Sequence, residues 1–364
     1  MKKIILYGEF IEQSTTGIAY INTCLRQALL YFKNEVSVIS EPRVKDYNKE
    51  KVIINKNFYI KEFFNIFFKI IRSSKKDISF ITLSQGKLGL IKTLIIVLIL
   101  CIKTERIFLY IHRGDLNTDY FGSFYKKILI GLIIKLSYNV IFLSSSFIDK
   151  KISKRNKNKF IVIPNALNKS DTKKSKKLFN KKVKIGLDSH KKILKLIYCG
   201  NIQSQKGIHE IIKSVKLVNE KHKDLRFTLD IYGMCFEEFE YVPDLIEYKG
   251  ILTYKNRLEI MHQYDLLVIA SKSEGMPMIL IESLAIGLPF ITTKVGAIPE
   301  LIGPNYPYIC KSNYKSIMKN IEKFFFNYRF NEESILELIS LNHQNFNKNF
   351  QYINYFKNIN KIIQ

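Results

Sequence analysis

The sequence predicts an α/β protein built from two doubly wound domains that face each other across a central cleft. Three observations carry that expectation. At 364 residues and 47% hydrophobic composition, the chain can bury more than one core, and two is the better prior above about 250–300 residues. Short β-type runs alternate with apolar-periodic segments of helical length, the pattern of a parallel sheet covered on both faces. A polar, lysine-rich stretch interrupts the alternation, which then restarts. In open sheets of this kind ligands bind beyond the carboxyl ends of the strands, so two such domains would share one deep cleft.

In the first half, β-type runs fall at residues 3–7, 35–40, 51–54, 78–82, 106–112, 139–143 and 160–164, and helical segments at 17–32, 59–72, 88–102 and 121–136. Residues 168–184 are polar with few apolar anchors, as an exposed connection or a solvated loop would be. Beyond them, strands are expected at 194–199, 227–232, 245–249, 266–270 and 289–293, with helices at 207–221, 254–263 and 278–286 and a short one near Pro299. Two helices close the chain between 332 and 364, the last apolar at Tyr352, Ile353, Phe356, Ile359 and Ile363. The implied organisation is a first domain at 1–168, a connection at 169–192, a second domain at 193–340, and a C-terminal helix at 341–364 packing back on the first domain.

Composition narrows the partners. The 58 basic and 32 acidic residues give a formal charge of +26, which attracts polyanions. Residues 150–195 alone hold 17 basic residues and two acids, so +15 of that excess is local. Only nine of the basic residues are Arg and there is no Trp, which weakens base-specific recognition and argues against nucleic acid as partner. An anionic membrane surface is the better target, because residues 58–76 read FYIKEFFNIFFKIIRSSKK, a basic helix able to lie among headgroups. A core helix with solvated lysines accounts for the same pattern equally well.

The five cysteines lie far apart with no CxxC and no Cys/His cluster, so a disulfide scaffold, a structural zinc site and a metal centre are not expected. The apolar start at residues 4–7 is too short for a signal peptide, and the run at 94–102 too short to span a bilayer. A cytoplasmic protein, peripheral on the inner membrane face, fits these features.

The most informative stretch is SEGMPMILIESLA, residues 273–285, following the buried run LLVIA. Pro277 suits the first turn of a helix, where its missing N–H costs nothing. Helical side chains lean towards the amino end, so Glu282 points back towards Glu274 in the preceding loop. A helix N-terminus offers N–H groups and partial positive charge to a phosphate, and a carboxylate beside it accepts hydrogen bonds from a vicinal diol. The combination suits a nucleotide sugar. Glu274 as a helix cap and Glu282 as a surface residue account for the pair equally well when it is read alone.

Context adds GNIQSQKG, a strand end, a glycine turn and Lys206 before the next helix. Taken singly, Lys206 reads more readily as solvated surface. Gly8 and Gly17 bracket a loop without GxGxxG, which argues against a dinucleotide fold. His112 ends the run FLYIH at the edge facing the expected cleft.

At these residues the sequence resembles the retaining glycosyltransferases of family 4, which have the GT-B fold of two Rossmann-like domains. Glu274 and Glu282 match that family's E-x7-E motif within SEGMPMILIESLAIGLPFITTKVGAIPELI; GNIQSQKG, FLSSSFIDKKI with FIVIPNALN, and TTGIAYINTCLRQAL match less strongly. The resemblance implies that Lys206 holds the diphosphate of a UDP- or GDP-linked donor, Glu282 the ribose diol and Glu274 the transferred sugar. The backbone of Gly275, Met276, Pro277, Met278 and Ile279 would help, Gly250 and Ile251 would line the base, and Gly17 would face the donor. His112 would sit near the reacting carbon. The family usually has Arg where this chain has Asn201, and Arg113 is a candidate to compensate.

The resemblance further implies no cofactor and a glycan or lipid-linked glycan acceptor. It places the reaction in bacterial cell-surface polysaccharide or lipopolysaccharide biosynthesis. The sequence has no Asp-x-Asp pair, as expected of a transferase whose diphosphate is not held by a metal. The rivals are a non-catalytic basic protein binding membrane or nucleic acid, and a GT-B epimerase or phosphorylase.

Overall fold

Continuous apolar runs mark strands buried on both faces, and strand β1 (Lys3–Gly8) is of that kind: Ile4, Ile5, Leu6 and Tyr7 are fully buried. A computed structural model describes the chain except for residues 13–15, 42–55, 85, 115, 150–155, 157 and 189, so the expected strand at 51–54 lies outside the described residues. The chain divides into two units, residues 1–166 with 352–364, and residues 167–351.

The first unit is a six-stranded parallel sheet in the order β2-β1-β3-β4-β5-β6. Its further strands are β2 (Glu35–Ser40), β3 (Lys76–Thr82), β4 (Thr104–Ile111), β5 (Asn139–Phe142) and β6 (Phe160–Val162). Helices α1 (Gly17–Tyr31), α2 (Lys56–Arg72), α3 (Lys87–Lys103), α4 (Leu116–Gly122) and α5 (Phe124–Leu136) connect them. The single helix expected at 121–136 is thus two helices, with Ser123 in extended conformation at the start of the second.

The second unit repeats the plan with the order β12-β11-β10-β7-β8-β9, again all parallel. Its strands are β7 (Ile193–Cys199), β8 (Arg226–Tyr232), β9 (Ile246–Tyr248), β10 (Leu266–Ile269), β11 (Phe290–Thr293) and β12 (Ile309–Cys310). Chain order reverses between β7 and β10, which makes their carboxyl ends the switch point where ligands of such sheets bind.

The lysine-rich stretch is no loose connection. Residues 169–185 form helix α6 (Lys169–Ile185), part of the second unit. Asn168 caps it by accepting from Asp171 N–H at 2.7 Å. Its inner face carries Asp171 and Ser175, both buried, and Phe179, whose ring stacks on His343 at 3.7 Å between centroids. It packs on α9 (Met278–Ile286), a helix apolar on nearly every side and buried accordingly. Helices α7 (Ile208–Lys221), α8 (Arg257–Met261), α10 (Ile298–Ile302), α11 (Tyr314–Phe330) and α12 (Glu332–Asn349) complete the unit.

The last helix, α13 (Tyr352–Ile363), belongs to the first unit and lies against α1. Arg106 donates to Ile363 O at 2.7 Å, and the Tyr110 and Tyr355 hydroxyls meet at 3.4 Å.

Candidate active site

The switch point of the second unit is assembled from two loops, one after β7 and one after β10. The first ends in a tight turn at residues 204–206 followed by Gly207, whose φ of 73° favours glycine. A Cβ there would lie 2.3 Å from Ala270 O, so only glycine lets the two loops close together. Lys272 N–H donates to Gln205 O at 2.9 Å and ties them. Ser312 Oγ donates to Ala270 O and Thr293 Oγ1 to Ser271 O, each at 2.6 Å, which anchors the end of β10 on its neighbours.

This frame brings Lys206 and Glu274 together. Lys206 Nζ donates to Glu274 Oε1 at 2.7 Å, and Ser271 Oγ donates to the same oxygen at 2.6 Å. Both charged side chains are partly exposed, at 24% and 12%. The Glu274 backbone is held in turn by Gly296, where φ is 57° and a Cβ would fall 2.0 Å from Glu274 O. Ala297 N–H donates to Gly275 O at 3.0 Å.

Glu274 therefore does not cap α9. Pro277 is the N-cap, in extended conformation and with no side-chain cap, and the helix proper starts at Met278. The N–H groups of a first turn have no intrahelical acceptor, so the loop carrying Glu274 and the ammonium of Lys206 adjoin a patch of positive potential.

Glu282 sits deeper than a surface residue. It is 2% exposed, and its Oε1 lies 2.8 Å from Arg257 Nε, while Arg257 Nη2 lies 3.0 Å from Asp171 Oδ2. Burial pushes the Glu282 carboxyl up from its ordinary value, and the Arg257 guanidinium opposes that shift. The cluster joins α6, α8 and α9.

The remaining donor candidates line the same edge. Asn201 follows Gly200 at the end of β7, and its carbonyl accepts from Tyr198 Oη at 2.7 Å. Gly250 adopts φ of 83° with open space at its Cβ position, and Ile251 beside it is exposed. Gly233, after β8, would set a Cβ 1.7 Å from Gly200 O, and its N–H donates to Gly250 O at 2.9 Å. Met276 and Met278 are buried, and Gly275, Pro277 and Ile279 are partly exposed.

His112 and Gly17 belong to the first unit. Gly17 opens α1 behind its N-cap Thr16, whose hydroxyl donates to Glu9 at 2.9 Å and accepts from Ala19 N–H at 3.2 Å. His112 directly follows β4, buried and stacked on Tyr110 with 4.4 Å between ring centroids. Burial pushes its pKa down to about 3, so the ring is neutral at pH 7.

Sequence reasoning did not find Arg257, Asp171, Ser271, Gly207, Gly233 or Gly296. Arg257 and Asp171 act through elements far apart in the chain and leave no local signal, whereas Ser271 lies only three residues from its partner Glu274. For Gly233 a signal exists: Gly200, Gly233 and Gly250 each follow one of the successive strands β7, β8 and β9 by one or two residues.

Residues 179–335 match the family described as glycosyl transferases group 1. The matched residues lie within the second unit. The capsular polysaccharide biosynthesis glycosyltransferase CapM of Staphylococcus aureus is 31% identical over 156 residues, 40% of this chain and 39% of CapM. The N-acetyl-alpha-D-glucosaminyl L-malate synthase of Bacillus anthracis is 28% identical over 126 residues, 33% of this chain. The chain spans well under half the length of either relative, 39% and 32%.

Among solved structures, Anabaena HepE in complex with UDP-glucose aligns over 100% of this chain and 98% of its own, at 14% identity and a TM-score of 0.68. Sucrose-phosphate synthase from Thermosynechococcus elongatus aligns over 100% and 98%, at 14% identity and a TM-score of 0.71. At such identities the likeness concerns fold alone: the GT-B class, with two Rossmann-like units.

Proposed function

We propose that the protein is a retaining glycosyltransferase of family 4 that moves a hexose from a UDP- or GDP-linked donor to a glycan or lipid-linked glycan, in bacterial cell-surface polysaccharide or lipopolysaccharide synthesis on the cytoplasmic side. The observation that carries this reading is the Lys206–Glu274 pair at the switch point of the second unit, beside the amino end of α9. The match to the glycosyl transferases group 1 supports it.

In the reaction the bond between the anomeric carbon and the diphosphate oxygen breaks, and the acceptor hydroxyl oxygen bonds to that carbon. The acceptor proton passes to the departing phosphate. Charge accumulates on the leaving group, where Lys206 and the first-turn N–H groups of α9 supply preorganised positive potential in place of a metal. Glu274 binds hydroxyls of the transferred sugar, its carboxylate oriented by Ser271. Glu282, fixed by Arg257, acts on the ribose side, and Gly250 and Ile251 face the base. Asn201 leaves the diphosphate with fewer cations. His112, neutral, offers a hydrogen bond to a substrate rather than a charge.

The test is release of nucleoside diphosphate that depends on an added glycan acceptor, with retention read from the product's anomeric configuration. Glu274→Ala should lower that release about 100-fold or more while the thermal melt stays unchanged. Near-normal turnover of the variant would refute the role of Glu274. Conversion of the donor without acceptor would identify an epimerase instead, and dependence on inorganic phosphate a phosphorylase.

A further inference from the structure

One helical face of the first unit is composed like a core and turned to solvent. Right-handed crossovers place α1 on one face of the sheet and α2, α3 and α5 on the other, with α3 between α2 and α5. Helix α3, KLGLIKTLIIVLILCIK, is apolar on all sides, a composition that ordinarily means enclosure. Leu90, Ile96, Val97 and Leu100 are indeed buried, yet Leu88, Ile91, Leu98 and Ile102, a stripe at helical spacing, are exposed. The neighbours extend it: Phe64, Phe68 and Ile71 on α2, and Phe124, Ile128 and Leu132 on α5 are exposed as well.

The stripe has a leading edge. Lys87 Nζ lies 5.9 Å from the Tyr125 ring centroid, so the amino ends of α3 and α5 are side by side. There Leu88 is 83% and Phe124 80% exposed, and apart from Met1 no large apolar side chain among the described residues is more exposed. The three helices carry ten basic residues and one acidic one. Among the described residues, no helix is long and apolar enough to cross a membrane.

We propose that this face docks on an anionic lipid bilayer, with Leu88 and Phe124 entering the headgroup boundary and the lysines of α2, α3 and α5 over acidic headgroups. Charge selects this occupant. A two-fold pairing with a second copy would set the exposed Lys61, Lys69, Arg72, Lys87, Lys127 and Lys135 against their own copies, and a phosphate backbone offers the protruding Leu and Phe no apolar partner. The amino end of α3 follows β3 and that of α5 follows β4 by way of α4, so the docked edge is the carboxyl edge of the sheet, where His112 directly follows β4. That edge would admit a lipid-linked acceptor directly from the bilayer, a consequence that rests on the proposed sugar transfer; the docking itself does not.

The experiment is flotation of the full-length protein with vesicles of phosphatidylcholine alone and of phosphatidylcholine with phosphatidylglycerol, no nucleotide sugar being present. Binding should require phosphatidylglycerol and fall about tenfold or more as salt is raised. The double variant Leu88→Glu, Phe124→Glu should lose about tenfold or more of the binding with an unchanged thermal melt. Phe330→Glu, at a comparably exposed position on α11 of the second unit, should bind as the wild type does. The proposal is overturned if phosphatidylglycerol vesicles do not bind the protein, or if Phe330→Glu loses as much as the double variant. It is equally overturned if the double variant abolishes self-association while its vesicle binding is untouched.

Discussion

At the scale of single residues, burial decides what His112 can do. In the unfolded chain the ring takes up a proton near pH 6.5, but in the folded unit it resists protonation down to about pH 3. The unfolded state therefore binds more protons between these values, and the stability this residue contributes is complete above pH 6.5 and is lost as pH falls towards 3. The slope reaches about 1.4 kcal/mol per pH unit. Urea unfolding at pH 7 and pH 5 should show the wild type losing more stability on acidification than His112→Gln; equal losses would contradict the buried neutral imidazole. The sequence placed His112 at a strand end, but its burial against Tyr110 was not legible there. Lys206 and Glu274 were each visible in a motif, yet their ion pair joins residues 68 positions apart, and what brings them together is strand order.

At the scale of elements, the Arg257 cluster binds three helices through charge rather than apolar contact. Arg257 reaches Asp171 on α6 and Glu282 on α9 from α8, and all three residues are buried. Removing one member of such a cluster strands the others' charge in the interior. Arg257→Ala should cost about 3–5 kcal/mol, read from the shift in denaturant midpoint, and Arg257→Ala with Glu282→Gln should recover part of it. A loss below about 1 kcal/mol would show the cluster to be solvated.

The same cluster explains where element reading failed. Strands and most helices were legible because burial follows a period of apolar residues, as in α7, where Ile208, Ile211, Ile212, Val215 and Val218 are all buried. Helix α6 hides part of its inner face in Asp171 and Ser175, so an apolar count finds few anchors among its lysines. Helix α11 and the two-residue β12 were not assigned at all, although Ile317, Ile321 and Phe324 mark the buried side of α11.

At the scale of the whole molecule, the chain separates its tasks between units. The first presents a basic, apolar helical layer, and the second holds the Lys206–Glu274 pair at the point where its strand order reverses. The two doubly wound units were legible because the strand–helix alternation occurs twice. The order of strands was not, because parallel pairing joins segments that carry no local mark of their partners. The charge of +26 divides by the same logic. On α6 it is a solvated outer face; on α2, α3 and α5 it flanks exposed apolar side chains and so calls for a surface.

Everything proposed for catalysis depends on Lys206 meeting a diphosphate at that switch point. Calorimetric titration of a panel of UDP- and GDP-linked sugars into the wild type and into Lys206→Met tests it most directly. One donor class should bind the wild type, and the variant should bind it about 10- to 100-fold more weakly, the worth of a charge-assisted hydrogen bond. Equal affinity in the two proteins, or no binding of any nucleotide sugar to the wild type, would contradict the assignment.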